Sequence, residues 1–114
     1  MAISDYQAGK VVATVPIGSG VDGAGFDPAS SDAFASNADG TLTVVHQDDP
    51  DHYHVAGTVQ TPPASRNMGL DPTNHRLFVV SAKFGPPPAA GRGRAPVLPD
   101  SFSLMVIERD PPVR

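Results

Sequence analysis

Short apolar segments alternate with turn residues along the entire chain. The segments predicted to be strands are 10–16, 22–27, 33–37, 41–46, 52–60, 67–71, 76–82 and 102–109. No window carries apolar residues at positions i, i+3, i+4 and i+7 over three turns, so the pattern predicts little or no helix. In 42–48 and 104–110 apolar residues occupy neighbouring as well as alternate positions, which is typical of strands covered on both faces. The pattern therefore predicts an all-β protein.

The strand pattern repeats itself at a spacing of 44 residues. The clearest repeat is Gly25-Phe26-Asp27-Pro28, which returns as Gly69-Leu70-Asp71-Pro72. Further pairs at this spacing are Val11 and Val55, Thr14 and Thr58, Val15 and Val59, Phe34 and Phe78, and Ala38 and Ala82. A period in the low forties made of short strands is typical of the four-stranded blade of a β-propeller. A blade cannot bury its apolar faces alone, so it needs neighbouring blades.

The strands can be assigned to blades in chain order. If the strands of a blade are named A to D from the axis outward, the chain reads D, A-B-C-D, A-B-C. We therefore predict one unit over 1–114, in which 1–16 holds the outer strand of a shared blade. The first full blade covers 17–60, with a hairpin turn at Asp39-Gly40. The second blade covers 61–114 and lacks its outer strand.

A long insertion interrupts the second blade. Residues 85–101 occupy the B–C position, where the first blade has only the Asp39-Gly40 turn, and they are rich in proline, glycine and arginine. Such a composition is typical of a partly extended loop. We interpret it as a flexible surface insertion, and a functional loop is the alternative.

Composition and charge narrow the classes of partner. The formal net charge of -4 argues against bulk attraction to nucleic acid or anionic membranes, although a local basic patch leaves a route to nucleic acid. No apolar run approaches the roughly 18 residues of a membrane span. The chain has no cysteine, so disulfides are excluded. Residues 1–10 lack the features of a signal peptide, and the compartment stays undetermined.

Five segments carry a resemblance to a known family. They are Gly9-Lys10-Val11-Val12-Ala13-Thr14-Val15, the two Gly-Phe/Leu-Asp-Pro strands, Asp39-Gly40-Thr41-Leu42-Thr43-Val44-Val45-His46, and Ser101-Phe102-Ser103-Leu104-Met105-Val106-Ile107. Over about residues 5–110 the chain resembles the carboxy-terminal two blades of the YVTN-repeat, YncE-like β-propeller family. The resemblance implies a propeller fold, and its members are typically exported, periplasmic seven-bladed rings. It implies no particular activity.

Two blades would leave apolar sheet faces bare and the last C strand unpaired. Such surfaces exceed what a soluble monomer usually exposes, and an open strand edge invites pairing. We predict that 10–16 of a neighbouring chain pairs beside 102–109, which is a head-to-tail contact that can close a ring. Three copies give six blades and four give eight, and we favour the homotrimer over the tetramer. An unstable or aggregating fragment is the alternative.

The ring hypothesis also predicts a core. The side chains expected to be buried between blades are Phe34, Leu42, Val44, Phe78, Leu104 and Val106, because they occupy equivalent positions in the two blades.

Candidate binding residues fall into two groups. Arg66 and Asn67 in a D–A connection, with Arg92 and Arg94 in the inserted loop, are predicted to lie on one face and to form a tentative ligand-binding site for anions. His46, His52 and His54 lie close to three aspartates, as zinc ligands do, but their spacing matches no closed zinc pattern. We interpret that hairpin as a solvated acidic turn, and Asp27 and Asp71 as turn-capping residues.

The sequence contains no Gly-x-Ser-x-Gly elbow and no phosphate-cradling loop. We therefore predict a non-enzymatic β-propeller scaffold or binding module of unassigned ligand, without metal or cofactor, whose partner is itself. The alternative is a weak binder of anionic ligands or single-stranded nucleic acid through the arginine-bearing face. Metal-dependent hydrolysis in the central channel is a third class with less support.

Overall fold

A computed structural model of the chain describes residues 1–89 and 93–110. In that part of the chain there are nine strands and no α-helix, and therefore no helix that could cross a membrane. The strands are β1 (Ala2–Asp5), β2 (Lys10–Thr14), β3 (Val21–Asp27), β4 (Asp32–Asn37), β5 (Thr41–Asp49), β6 (His52–Gln60), β7 (Met68–Asp71), β8 (Arg76–Ser81) and β9 (Ser103–Ile107). The prediction of an all-β chain is confirmed.

The strands form three antiparallel sheets in chain order. We name them the N-terminal hairpin (β1-β2), the central sheet (β3-β4-β5-β6) and the C-terminal sheet (β7-β8-β9). Strands that follow one another in sequence are neighbours in each sheet, and short turns connect them except between β8 and β9, where the long insertion lies. The innermost strands β3 and β7 lie side by side without sharing a sheet, and β2 lies alongside β6. The three sheets therefore lie next to one another in chain order.

The sequence repeat is also a repeat of strand register. Gly25 lies opposite Phe34 in the central sheet, and Phe34 lies opposite Val44. In the C-terminal sheet Gly69 lies opposite Phe78, and Phe78 lies opposite Val106. Because residues directly opposite each other share a face of the sheet, the two sheets present equivalent side chains on equivalent faces.

The segment 1–16 forms two strands, and the prediction of a single outer strand was incomplete. β1 pairs with β2 from Ala2 opposite Thr14 to Asp5 opposite Lys10. The Asp5 carboxylate accepts hydrogen bonds from the amides of Gln7 and Ala8, which closes the connecting turn. Sequence reasoning missed β1 because it is four residues long and only one of them, Ile3, is β-branched.

The core consists of two layers, one on each face of the central sheet. Ala35 and Val45 are fully buried on the face toward the N-terminal hairpin, and Leu42 is fully buried on the face toward the C-terminal sheet. Leu77 and Val79 of β8 are also buried and alternate with Phe78 and Val80, so they lie on the opposite face of their own sheet.

The core prediction holds only in part within one chain. Leu42 is buried, whereas Phe34, Val44 and Phe78 are half-buried. Leu104 and Val106 are 55% and 51% exposed, so the expectation of burial was wrong for the single chain. They lie on the outer face of the C-terminal sheet, with Phe78 and Val80, where no other sheet of the described chain packs.

Hydrogen bonds close the base of the inserted loop. Phe84 pairs with Val97 in an isolated antiparallel bridge, and the Gly85 amide donates to the Pro96 carbonyl at 2.8 Å. The Leu98 amide donates to the Lys83 carbonyl at 2.8 Å. The insertion is therefore anchored at its base to the end of β8.

Candidate functional site: an open cleft between two sheets

An open cleft of about 870 Å³ lies between the central and C-terminal sheets. Its apolar wall is formed by Phe34, Leu42, Val44, Val59, Leu77 and Ile107. The cleft exists because, in the described part of the chain, the C-terminal sheet has three strands where the central sheet has four. Gly57 and Val59 of β6 consequently line open space.

Histidine–aspartate pairs occupy one rim of this cleft. Nδ1 of His46 lies 2.8 Å from Oδ1 of Asp32, and Nδ1 of His75 lies 2.5 Å from Oδ2 of Asp27. An ionised carboxylate can only accept hydrogen bonds, so in both pairs Nδ1 carries the proton and donates it. The carboxylates are well covered, with only 10% of the Asp32 side chain and 2% of the Asp27 side chain exposed.

Asp27 joins the two sheets. It is the last residue of β3, and its Oδ1 accepts a hydrogen bond from the Ala29 amide at 3.0 Å, as an aspartate in a turn does. Its other oxygen binds His75 from the β7–β8 turn, 48 residues away. Burial by itself would raise the pKa of the Asp27 carboxyl. The hydrogen bonds from His75 and Ala29 and the charge of His75 outweigh burial and bring that pKa below its ordinary value.

The turn-capping prediction for the two repeated aspartates is confirmed, but it was incomplete for Asp27. Asp71 accepts a hydrogen bond from the Thr73 amide at 2.9 Å, in the manner of Asp27 and Ala29. His75 adopts a left-handed conformation with φ of 59°, as does its repeat equivalent Ser31 with φ of 60°. The chemical difference between Ser31 and His75 was the one available signal for the inter-sheet bond. Nothing local in the sequence connects it to Asp27.

Two ion pairs of the C-terminal sheet complete the rim. Nη1 of Arg109 lies 3.7 Å from Oδ2 of Asp32, which brings a guanidinium group to the carboxylate that also binds His46. Arg76 forms an ion pair with Glu108 across β8 and the segment after β9. The rim therefore carries both signs of charge above an apolar wall, and its charged groups are already engaged with one another.

The three histidines of the zinc hypothesis bind three separate carboxylates. His46 pairs with Asp32, His52 with Asp49 and His54 with Asp48. The rings of His46 and His54 meet edge to face with centroids 5.6 Å apart. Among the residues that the structure describes, no group of three or more acidic or histidine side chains is arranged to hold a metal ion.

The acidic turn is exposed and internally hydrogen-bonded. The Asp49 carboxylate accepts from the Asp51 amide at 2.8 Å and lies 2.8 Å from Nδ1 of His52. These two bonds lower the pKa of the Asp49 carboxyl. The hydrogen bond and charge of Asp49 raise the pKa of His52. Because 76% of the His52 side chain is exposed, we interpret the pair as part of a solvated turn.

Two of the predicted ligand-binding arginines line one surface. Arg66 and Arg94 border a shallow hollow of about 770 Å³, together with Ala64, Phe84, Ala95 and Val97. Asn67 is exposed beside Arg66 but does not line this hollow. Arg92 lies outside the described residues. Anion binding by this hollow stays a prediction of the sequence.

Comparisons of the chain with protein-family models, with curated proteins and with solved structures gave no significant match. The resemblance to the YVTN-repeat, YncE-like propellers therefore stays a prediction that rests on the motifs in this sequence. The site can be interpreted only from its own geometry.

Proposed function

We propose that the chain is a non-enzymatic scaffold of the β-propeller type, which assembles with further copies of itself into a closed ring. Its support is the order and stacking of the sheets. Each sheet is an antiparallel meander, the inner strands β3 and β7 are adjacent, and the register repeats from one sheet to the next. These are the properties of consecutive blades around an axis.

The observation that carries the proposal is that, over the described residues, the C-terminal sheet has one strand fewer than the central sheet. β5 has neighbours on both sides, β4 and β6, whereas in the described chain β9 pairs only with β8. Leu104 and Val106 of β9 are more than half exposed, and the cleft lies where a fourth strand would run. An unpaired apolar edge of this kind favours the addition of a strand from another chain.

The strand predicted to fill this place is β2 of a neighbouring copy. Val11 of β2 is the repeat equivalent of Val55 of β6, so β2 has the sequence of an outer strand. Val11 is also 57% exposed, which leaves it available for an apolar contact. Under this proposal the cleft is a blade junction, and the rim pairs His75–Asp27 and Arg109–Asp32 tie neighbouring blades together.

The strand β1 changes how such a ring would close. Asp5 of β1 is the repeat equivalent of Asp49, the last residue of β5, so β1 is equivalent to a C strand. β1 pairs with β2, and it therefore takes the place beside β2 that β9 of another copy would occupy in the ring. Ring closure therefore requires that β1 leaves β2. A four-residue strand in an isolated hairpin is held weakly, which makes this exchange accessible.

Solution mass tests the proposal. We expect light scattering at micromolar concentration to give three times the chain mass of 11.8 kDa, or four times for the larger ring. Deleting 1–16 removes β2 and should give a monomer, whereas deleting 1–7 removes only β1 and should keep or strengthen the ring. Circular dichroism establishes that each variant retains its strands. A monodisperse wild-type monomer would contradict the proposal.

A further inference from the structure

The junction between the central and C-terminal sheets is built from glycines beneath larger side chains. A Cβ atom placed on Gly25 of β3 would lie 3.2 Å from Cε of Met68 and 3.8 Å from Cβ of Leu70, both on β7. One placed on Gly23 would lie 3.0 Å from the backbone nitrogen of Met68. The strands β3 and β7 can approach this closely because the glycines carry no side chain.

The repeat places both halves of this junction on the chain a second time. Gly69 is the repeat equivalent of Gly25, and Phe26 is the repeat equivalent of Leu70. Phe26 is 44% exposed, although it is a large apolar side chain. A Cβ atom on Gly69 would meet no atom of the described chain within 4 Å. Phe26 is thus an exposed aromatic side chain, and Gly69 is a glycine with open space above it. Their repeat equivalents, Leu70 and Gly25, contact each other inside the chain.

The surroundings of these two residues are complementary in shape. Phe26 lies opposite the small side chain of Ala33, on the face of the central sheet toward the N-terminal hairpin. Gly69 lies opposite Phe78, on the outer face of the C-terminal sheet, which also carries the exposed Leu104. The central sheet thus presents the aromatic side chain of Phe26 beside small residues. The C-terminal sheet presents the open space above Gly69, bordered by large side chains.

We infer that the contact between copies in the ring reproduces the internal junction, with Phe26 of one chain packed over Gly69 of the next. The inference rests on the proposed ring and names the surfaces that form it. The two surfaces lie on different sheets, so the contact is head-to-tail and each chain uses both. The partner is a second copy because this chain itself contains the matching half.

The second junction would differ from the first in several side chains. Ser36, whose hydroxyl donates to the Arg66 carbonyl at 2.6 Å, is replaced one repeat later by Val80, so the contact between copies is more apolar. The repeat equivalent of Gly23 is Asn67, which has a larger side chain. The repeat equivalent of Met68, which packs on Gly23, is the shorter Ala24. Asn67 would then be covered at the junction rather than free for a ligand.

Disulfide trapping tests the contact directly, because the chain contains no cysteine. The separation of 3.8 Å between the Cβ positions of Gly25 and Leu70 is the usual Cβ–Cβ distance of a disulfide. The equivalent pair between copies is position 69 of one chain and position 26 of the next. The variants Phe26→Cys and Gly69→Cys are therefore purified separately, mixed in equal amounts and oxidised.

The mixture should give a disulfide-linked dimer of about twice 11.8 kDa on a non-reducing gel, and neither variant alone should give it to the same extent. The pair Gly25→Cys and Leu70→Cys within one chain serves as the positive control for the geometry. A mixture of Phe26→Cys with Thr73→Cys, in the exposed β7–β8 turn, serves as the negative control.

Equal linking in the mixture, in each single variant and in the negative control would overturn the inference, as would no linking. The proposed ring is judged separately from the wild-type mass. If the wild type is a trimer or tetramer and the mixture does not link, the copies meet through other surfaces. If the wild type is a monomer and the mixture does not link, both proposals are wrong.

Discussion

The strands β5 and β9 have similar sequences and equivalent partners, yet they are covered to different extents. Leu42 and Val44 of β5 correspond in register to Leu104 and Val106 of β9, because the β4 and β8 residues opposite them are repeat equivalents. Leu42 is fully buried, whereas Leu104 is 55% exposed. The difference comes from the neighbours, since β5 lies between two strands and beneath another sheet, whereas β9 in the described chain has β8 alone.

This comparison shows that the apolar pattern of a strand indicates which of its faces can be buried. The pattern does not indicate whether the sheet that covers this face belongs to the same chain or to another copy. The outer face of the C-terminal sheet has the same kind of residues as the buried face of the central sheet. Neighbouring apolar side chains exposed on one sheet face, as Leu104 and Val106 are, are typical of interaction sites. The junction between the central and C-terminal sheets then indicates how a second copy would pack on the outer face of the C-terminal sheet.

Truncation of the two equivalent leucines should give the largest contrast. Leu42→Ala should lower the free energy of unfolding by about 2 to 5 kcal/mol, because it leaves a cavity in a packed core. Leu104→Ala should cost less than about 1 kcal/mol in the dissociated chain, because exposed side chains contribute little. Urea unfolding at a concentration where the chain is monomeric measures both. Equal losses would mean that β9 is covered within the chain, and the comparison would fail.

A smaller contrast is expected between the repeated aspartates. Asp27 binds its own turn and His75 of the next sheet, whereas Asp71 binds the Thr73 amide of its own turn. The pKa of folded Asp27 is lowered from the ordinary 3.8, so its ionised carboxylate stabilises the fold above about pH 4. That contribution disappears as the pH falls through the lowered pKa.

Asp27→Asn should therefore lower the melting temperature at pH 7 more than Asp71→Asn does, and the deficit of Asp27→Asn relative to wild type should shrink below pH 4. Thermal unfolding followed by circular dichroism between pH 2.5 and 7 measures this, with ~0.5 unit steps around the titration. If the two variants behave alike at every pH, the bond between Asp27 and His75 does not stabilise the junction.

The sequence predicted most of the strands and the register between repeats, because alternation, turn residues and the 44-residue spacing are local or periodic signals. It missed β1, whose four residues carry little β-forming pattern and depend on pairing with β2. It placed Leu104 and Val106 in the core because a periodic pattern contains no information on whether the covering sheet belongs to the same chain.

The candidate site was less predictable than the fold. The His75–Asp27 bond joins turns that are 48 residues apart, and only the stacking of two sheets brings them together. The carboxylate partners of His46, His52 and His54 depend on strand register, which places each ring beside a different aspartate. The shared surface of Arg66 and Arg94 was accessible from the sequence, because strand order alone puts their two connections on one side.

Concentration-dependent amide hydrogen exchange of β9 tests the central claim most directly. If a second copy completes the C-terminal sheet, the amides of Ser103–Ile107 that point away from β8 should be weakly protected in dilute solution and gain protection as the concentration rises to the micromolar range. The amides of β5 should be protected throughout, since both of its edges are paired within the chain. Weak protection of β9 at every concentration, with β5 protected, would contradict completion of the sheet by another copy.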